Sequence, residues 1–91
     1  MAVVRKKVHP EYFDLVMKGR KKFEFRVADF GVKEGDTLIL QEFDPKMKKY
    51  TGRSVIKNVG YILKFTLDDI EKKFGQKELL EKYGFYIIQL D

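Results

Sequence analysis

The feature that most constrains the fold is a strictly alternating segment at residues 22–27. Its even positions are charged and its odd positions are apolar, and the six residues are Lys22, Phe23, Glu24, Phe25, Arg26 and Val27. Successive side chains of a strand point to opposite faces, so this alternation predicts a half-buried β-strand with its apolar residues on the core face. The chain should therefore contain a sheet with one charged face.

Further strands are expected on both sides of that segment. Four other stretches have alternating or continuous apolar patterns typical of strands, and they are residues 2–8, 37–43, 53–65 and 85–90. The last of these is almost continuously apolar, which predicts burial on both faces. Residues 44–52 contain Pro45 and Gly52 and indicate a long hairpin loop.

Two helices complete the predicted order. The first begins at Pro10 and stops at Gly19, and the second begins at Thr66 or Asp68 and continues to Gly84. The order strand, helix, strand, strand, strand, helix, strand predicts an α+β fold, with five or six strands in a small mixed β-barrel and two flanking helices. A flat α+β sandwich fits the same periodicity nearly as well.

Length and charge narrow the function. The chain has 91 residues, which suits a single domain over residues 1–91, and 19 Lys and Arg against 14 Asp and Glu give a net charge of +5. A basic protein favours an anionic partner, with RNA first, although a heavily ion-paired surface of the heat-tolerant kind explains the lysines equally well. No stretch indicates a membrane span or a leader, so we expect a cytoplasmic monomer.

Several kinds of chemistry are excluded by composition. There is no cysteine and His9 is the single histidine, so neither a thiolate nucleophile nor a His-rich metal site is expected, and no cofactor is predicted. A serine nucleophile would need His9 as its base, whereas the position of His9 beside Pro10 indicates a helix start.

The stretch from Gly19 to Arg26 matches the motif GxKxxExR, which is the signature of ASCH domains. Together with the surrounding segments HPEYFDLVMKGRKKFEFR, VKEGDTLILQEFDP and YTGRSVIKNVGYIL, it resembles a small prokaryotic and phage ASCH-type family of unknown function. The resemblance covers residues 9–64 and the closing strand. It implies a PUA-like barrel, related to an RNA-binding fold, with a polar cleft between the helix that ends at Gly19 and the barrel.

The resemblance and the charge pattern together predict an RNA or nucleotide site whose residues are Lys21, Lys22, Glu24, Arg26, Tyr50 and Arg53. Arginine can bind phosphate or a base edge in a bidentate manner, glutamate can orient it, and a tyrosine ring can stack on an unpaired base. The competing interpretations are a surface salt bridge at Glu24 and Arg26 and an ordinary hairpin loop at Tyr50 to Arg53.

An enzymatic function is the main alternative. Some ASCH relatives resemble amidohydrolases that remove an acyl group from a modified cytosine nucleoside with a lysine, a threonine and a glutamate, which here would use Lys21 and Glu24. The threonine expected three residues after Lys21 is replaced by Glu24, so RNA binding without catalysis ranks first. Binding of a protein through a sheet edge is a third hypothesis, which no residue specifically favours.

Overall fold

Residues 1–90 are described by the computed structural model, which contains one open three-stranded sheet and three helices. Strand β1 (Val3–Val8) pairs in parallel with β2 (Thr37–Asp44), and β2 pairs antiparallel with β3 (Lys49–Asn58). The helices are α1 (Pro10–Met17), α2 (Leu67–Phe74) and α3 (Lys77–Tyr83). The α+β class is confirmed, and β2 is the central strand.

The hydrophobic core lies between α1 and one face of the sheet. Val8, Phe13, Val16 and Leu40 are buried together there, and the partly buried Leu38 and Val55 pack around them. Phe13 and Leu40 are each only 1% exposed. Since a parallel pair needs a long crossover connection, α1 lies on the path from β1 to β2 and covers the face that they share.

Helix α1 begins and ends where the sequence predicts. His9 is extended, with ψ at 151°, and Pro10 takes the first helical position, where its missing N–H costs nothing. Gly19 follows the helix with φ at +72°, a left-handed conformation that glycine adopts without penalty. The chain therefore turns sharply at Gly19 and runs back across the end of the helix.

A buried carboxylate joins β2, β3 and α1. Glu42 is 4% exposed and accepts hydrogen bonds from the Arg53 guanidinium at 2.8 and 2.9 Å and from the Thr51 hydroxyl. Arg53 also donates to the Asp14 carboxylate of α1 at 2.9 Å and lies 4.9 Å from the centre of the Phe13 ring. These donors lower the pKa of Glu42 to about 2, and the two carboxylates raise that of Arg53.

A β-bulge makes this arrangement possible. Gln41 pairs with Ser54 and Phe43 pairs with Tyr50, so the residues from Thr51 to Arg53 lie opposite Glu42. Gly52 stands in the middle of the bulge with φ at +94°. Two donors on one strand thereby reach a single carboxylate.

The prediction of a strand at residues 22–27 is wrong, because this segment has no regular secondary structure. The described strands form an open sheet rather than the predicted closed barrel. The segment 22–27 is joined to the rest of the molecule by side chains and not by a backbone ladder. Arg26 Nη2 donates to the Lys7 carbonyl at 2.6 Å, and the amide of Lys22 donates to the Gln89 side chain at 3.1 Å. Phe25 and Val27, expected in the core, are 66% and 79% exposed.

The hairpin and the strand after it are shorter than predicted. Residues 45–48 alone connect β2 to β3, because Asp44 Oδ1 accepts the amides of Lys46 and Met47 and Lys48 adopts a positive φ of 52°. Strand β3 ends at Asn58 rather than at residue 65. Its partner begins at Thr37, so no residue of β2 remains to pair with the chain beyond this point.

The carboxyl-terminal region also differs from the prediction. The single helix expected from Thr66 to Gly84 is divided into α2 and α3, because Gly75 leaves the helix with φ at +87°. Thr66 caps α2 through a reciprocal pair of hydrogen bonds with Asp69, at 3.0 and 3.1 Å. Residues 85–90 form no strand because they pair with neither edge of the sheet, and Tyr86 and Leu90, expected to be buried, are 91% and 89% exposed.

None of the helices found within residues 1–90 has the length and apolar character needed to cross a membrane.

The substitution Glu42→Gln should lower the free energy of unfolding at pH 7. It should also reduce the loss of stability that occurs when the pH is lowered. The pKa of Glu42 is about 2 in the folded protein against an ordinary value of 4.5, so its stabilisation is present above pH 4.5 and lost as pH falls through 2. Urea unfolding at a series of pH values should show less acid destabilisation of the variant in this window. Glu71→Gln removes an exposed carboxylate as a control, and equal pH profiles for both variants would contradict the role of Glu42.

The substitution Gly52→Ala should lower the free energy of unfolding by about 1–2 kcal/mol, the usual cost of placing a side chain in the left-handed region. A Cβ at Gly52 would have no atom within 4 Å, so the loss would come from the backbone alone. Gly60→Ala is the control, because a Cβ there also meets open space and its φ is not in that region. Equal urea midpoints for the two variants would rule out a requirement for glycine in the bulge.

Candidate functional site: a basic cleft beside the first helix

The chain that leaves α1 folds back over its last turn. After the turn at Gly19, the amides of Arg20 and Lys21 both donate to the Leu15 carbonyl, at 2.9 and 3.1 Å. These bonds satisfy a helix-end carbonyl that would otherwise lack a partner. They also direct the following residues, up to Arg26, along the side of α1 and towards the end of β1.

One carboxylate organises the charged residues of this segment. Glu24 Oε1 accepts from Lys21 Nζ at 2.9 Å, and Glu24 Oε2 accepts from Arg26 Nε at 2.8 Å. The three side chains are 17–27% exposed, so the ion pairs are only partly in contact with solvent. Arg26 is held at its other end by the Lys7 carbonyl of β1. The guanidinium therefore connects the segment to the sheet.

These residues line a cleft of about 750 Å³, called here the Glu24 cleft, whose lining residues are Lys7, Val8, His9, Tyr12, Leu15, Arg20, Lys21, Phe23, Glu24, Phe25 and Arg26. The lining contains four cationic residues and one carboxylate. Since Glu24 can neutralise one positive charge, the cleft has an excess of positive charge. An anionic ligand would be attracted to it.

Two aromatic rings flank the lysine of the cleft. Lys21 Nζ lies 5.2 Å from the centre of the Phe23 ring and 5.8 Å from that of Tyr12. Tyr12 is 48% exposed, which leaves much of its side chain open to solvent. The cleft thus combines hydrogen-bond donors with flat apolar surfaces. This combination suits a ligand that has both an anionic group and a planar ring.

Lys22 does not join the ion pairs around Glu24. It lines a neighbouring cavity of about 620 Å³ together with Gly19, Arg20, Gln89 and Leu90. Alternation placed Lys22 with Glu24 and Arg26, but the irregular backbone brings Lys21 to Glu24 instead. Arg20 lines both cavities.

Tyr50 and Arg53 lie on opposite faces of β3 and not together in a loop. Arg53 faces α1, where its guanidinium binds Glu42 and Asp14. Tyr50 faces the other side, where its ring contacts Phe43 edge to face with centres 5.2 Å apart. Neither residue lines the Glu24 cleft.

Sequence reasoning missed Tyr12, Arg20, Phe23 and Lys7 as lining residues of the cleft. The alternating pattern predicts Phe23 in the core, because a ring beside a cleft has the same pattern as a ring in a core. The buried Glu42 was also missed. Its signal was an acid inside the apolar run LILQEFD, since a carboxylate there must find a partner.

The fold and the cleft define a small α+β protein with a basic, aromatic-lined cleft at the end of its first helix. The chain belongs to the family described as domain of unknown function DUF3850, which matches residues 5–75. The match includes all the residues of the Glu24 cleft and of the Glu42 network.

A phage protein is also similar to this chain. It is an uncharacterized 12.9 kDa protein in the GpA 3′ region of Escherichia phage P2, and it is 49% identical over 49 residues. The aligned segment spans 54% of this chain and 43% of the phage protein, so less than half of that relative is represented. No solved structure matches the chain significantly.

The substitution Glu24→Gln should increase retention on heparin, because it removes the single carboxylate of the cleft while Arg26 keeps its bond to the Lys7 carbonyl. The measurement is the salt concentration at which the protein elutes. Glu71→Gln changes the net charge equally on α2 and is the matched control. If both variants elute at the same higher salt concentration, the gain reflects overall charge and the special position of Glu24 is refuted.

Proposed function

We propose that the protein binds single-stranded RNA and holds one nucleotide in the Glu24 cleft. The observation that carries this proposal is the arrangement of Lys21 and Arg26 on a single carboxylate, Glu24, at 2.9 and 2.8 Å. The two cations are positioned in advance and are only half neutralised. A phosphate that enters the cleft would complete their charge balance without any rearrangement of the fold.

Both cations retain hydrogen-bonding capacity for a ligand. Lys21 donates one hydrogen bond, to Glu24, and Arg26 uses Nε and Nη2 for Glu24 and the Lys7 carbonyl. An ammonium and a guanidinium have further N–H groups beyond those in use. A phosphate oxygen can therefore bind to Lys21 or Arg26 while Glu24 keeps both side chains in place.

A base would stack on the aromatic wall of the same cleft. The centres of the Tyr12 and Phe23 rings lie 5.8 and 5.2 Å from the Lys21 ammonium, so a base beside either ring would have its own phosphate near a cation. The GxKxxExR motif supports RNA as the nucleic acid, since ASCH domains are relatives of the PUA RNA-binding fold. Membership of the ASCH group is part of the proposal.

Hydrolysis of an acylated cytosine nucleoside is the alternative function of the same cleft. The contact of 2.9 Å between Lys21 and Glu24 is the specific observation in its favour, because it joins a base and an acid beside two aromatic rings. A nucleoside is also small enough for a cleft of about 750 Å³.

RNA binding should decrease steeply with salt and depend on the cleft cations. Lys7 meets the cleft through its carbonyl group, so three cations of the lining remain, and if each releases a counterion, affinity for a labelled single-stranded RNA should fall about 18-fold between about 50 and about 200 mM salt. Removal of two of them by Lys21→Ala with Arg26→Ala should reduce this dependence to about threefold. Fluorescence anisotropy measures both.

The matched control is Lys64→Ala with Lys73→Ala, which removes two exposed charges outside the cleft. An equal loss of affinity in the control would mean that the affinity for RNA depends only on the net charge of the protein. Absence of RNA binding, combined with saturable uptake and deacylation of an acylated cytidine, would replace the proposal with the hydrolase. Absence of both would refute the assignment of the cleft.

A further inference from the structure

The face of the sheet opposite α1 is uncovered by that helix and has a distinct composition. Residues on this face alternate with the core residues Val8, Leu40 and Val55, and the strand register brings them side by side. We call it the open face, and its residues are Val3, Arg5 and Lys7 of β1, Ile39, Gln41 and Phe43 of β2, and Tyr50, Ser54 and Ile56 of β3.

The charges of the open face are all positive. Arg5 and Lys7 are exposed, and neither forms an ion pair within the part of the chain that the structure describes. The acids of the strands lie elsewhere, because Glu42 points towards α1 and Asp44 accepts the amides of the hairpin loop. Arg5 and Lys7 are two residues apart on one strand, a separation of about 6.6 Å. The surface is therefore complementary to a chain of anions.

Aromatic rings lie directly beside these cations. Phe43 and Tyr50 face each other across β2 and β3, and their planes are inclined at 80°. Lys7 Nζ lies 4.3 Å from the centre of the Phe43 ring and 5.6 Å from that of Tyr50. Tyr50 is 49% exposed and Ile56 67%, so a ring and an aliphatic side chain are both accessible from solvent.

The open face is continuous with the Glu24 cleft through Lys7. Its carbonyl oxygen binds Arg26 at the edge of the cleft, while its ammonium group lies over the rings on the open face. A chain that leaves the cleft beside Arg26 would therefore reach Lys7 and then Tyr50. One extended ligand can contact both surfaces.

We propose that the open face is a second binding surface for single-stranded RNA, which stacks a base on Tyr50 and places backbone phosphates at Lys7 and Arg5. The choice of RNA rests on the proposed function of the cleft, whereas the surface itself is argued from residues that, apart from Lys7, lie outside the cleft. The RNA runs from the Glu24 cleft across the end of β1. Its bases are held by stacking, so binding on this surface tolerates many sequences.

The test compares two labelled RNAs, one of about two nucleotides, of which one occupies the cleft, and one of about twelve that can also reach Tyr50. The variant Tyr50→Leu removes the ring and keeps an apolar side chain, and Tyr50→Phe keeps the ring. Tyr61→Leu, at an 83% exposed tyrosine outside the sheet, is the matched control. Thermal melts of each variant check that the fold is retained.

The wild-type protein should bind the long RNA more tightly than the short one. Tyr50→Leu should weaken binding of the long RNA relative to the short one at least about fivefold, as expected for the loss of one stacked base. Tyr50→Phe should restore the difference in affinity between the long and the short RNA. Arg5→Gln should reduce the salt dependence of binding to the long RNA. Tyr61→Leu should behave as the wild type does.

Any one of four results would overturn the proposal. Equal affinity of the wild type for both RNAs, or an unaltered preference in Tyr50→Leu, would refute the second surface while the cleft remains. Self-association that Tyr50→Leu abolishes, without any change in RNA affinity, would assign the open face to a second copy of the chain. Loss of all RNA binding in Lys21→Ala with Arg26→Ala, together with normal binding in Tyr50→Leu, would leave the cleft as the sole RNA site.

Discussion

The carboxylate of Glu42 is the constraint on which the folded arrangement depends. It lies on the central strand, nearly without contact to solvent, and a buried charge is tolerated only when partners compensate for the lost hydration. Arg53 and Thr51 supply those partners from β3, and Arg53 extends the connection to Asp14 of α1. One side chain thereby fixes the bulge, the register of the hairpin and the position of the helix, which in turn positions the cleft.

The sequence correctly predicted the elements that are determined by residues close together in the chain. Pro10 and Gly19 delimit α1, and the apolar run beginning at Thr37 becomes β2, because capping and periodicity act within a few residues. The prediction of a strand at residues 22–27 is wrong for a different reason. Alternation indicates an extended chain with two faces, but a strand also needs a neighbour, and the segment reaches β1 through the Arg26 side chain instead.

In the candidate site, too, the contacts between residues close in sequence were predictable and the contacts between distant residues were not. Lys21, Glu24 and Arg26 lie within six residues, so their association could be inferred from the sequence without knowledge of the fold. The separation of Tyr50 from Arg53 could not, because it depends on the faces of β3 and on the partner that Glu42 provides. Long-range pairings of this kind are specified by tertiary packing and leave little trace in a local pattern.

Gly75 marks the boundary between the part of the chain that matches the family model and the carboxyl-terminal segment. The family match ends at residue 75, where Gly75 terminates α2 with a positive φ, so the end of the match coincides with a structural joint. The residues of the sheet and of the Glu24 cleft all lie before this joint, so substitutions beyond it leave both sets of residues intact. Gln89 lies in the segment beyond the joint and accepts a hydrogen bond from the amide of Lys22. Substitutions of Gln89 or Leu90 would therefore change the smaller cavity beside Lys22, while the residues of the Glu24 cleft stay the same.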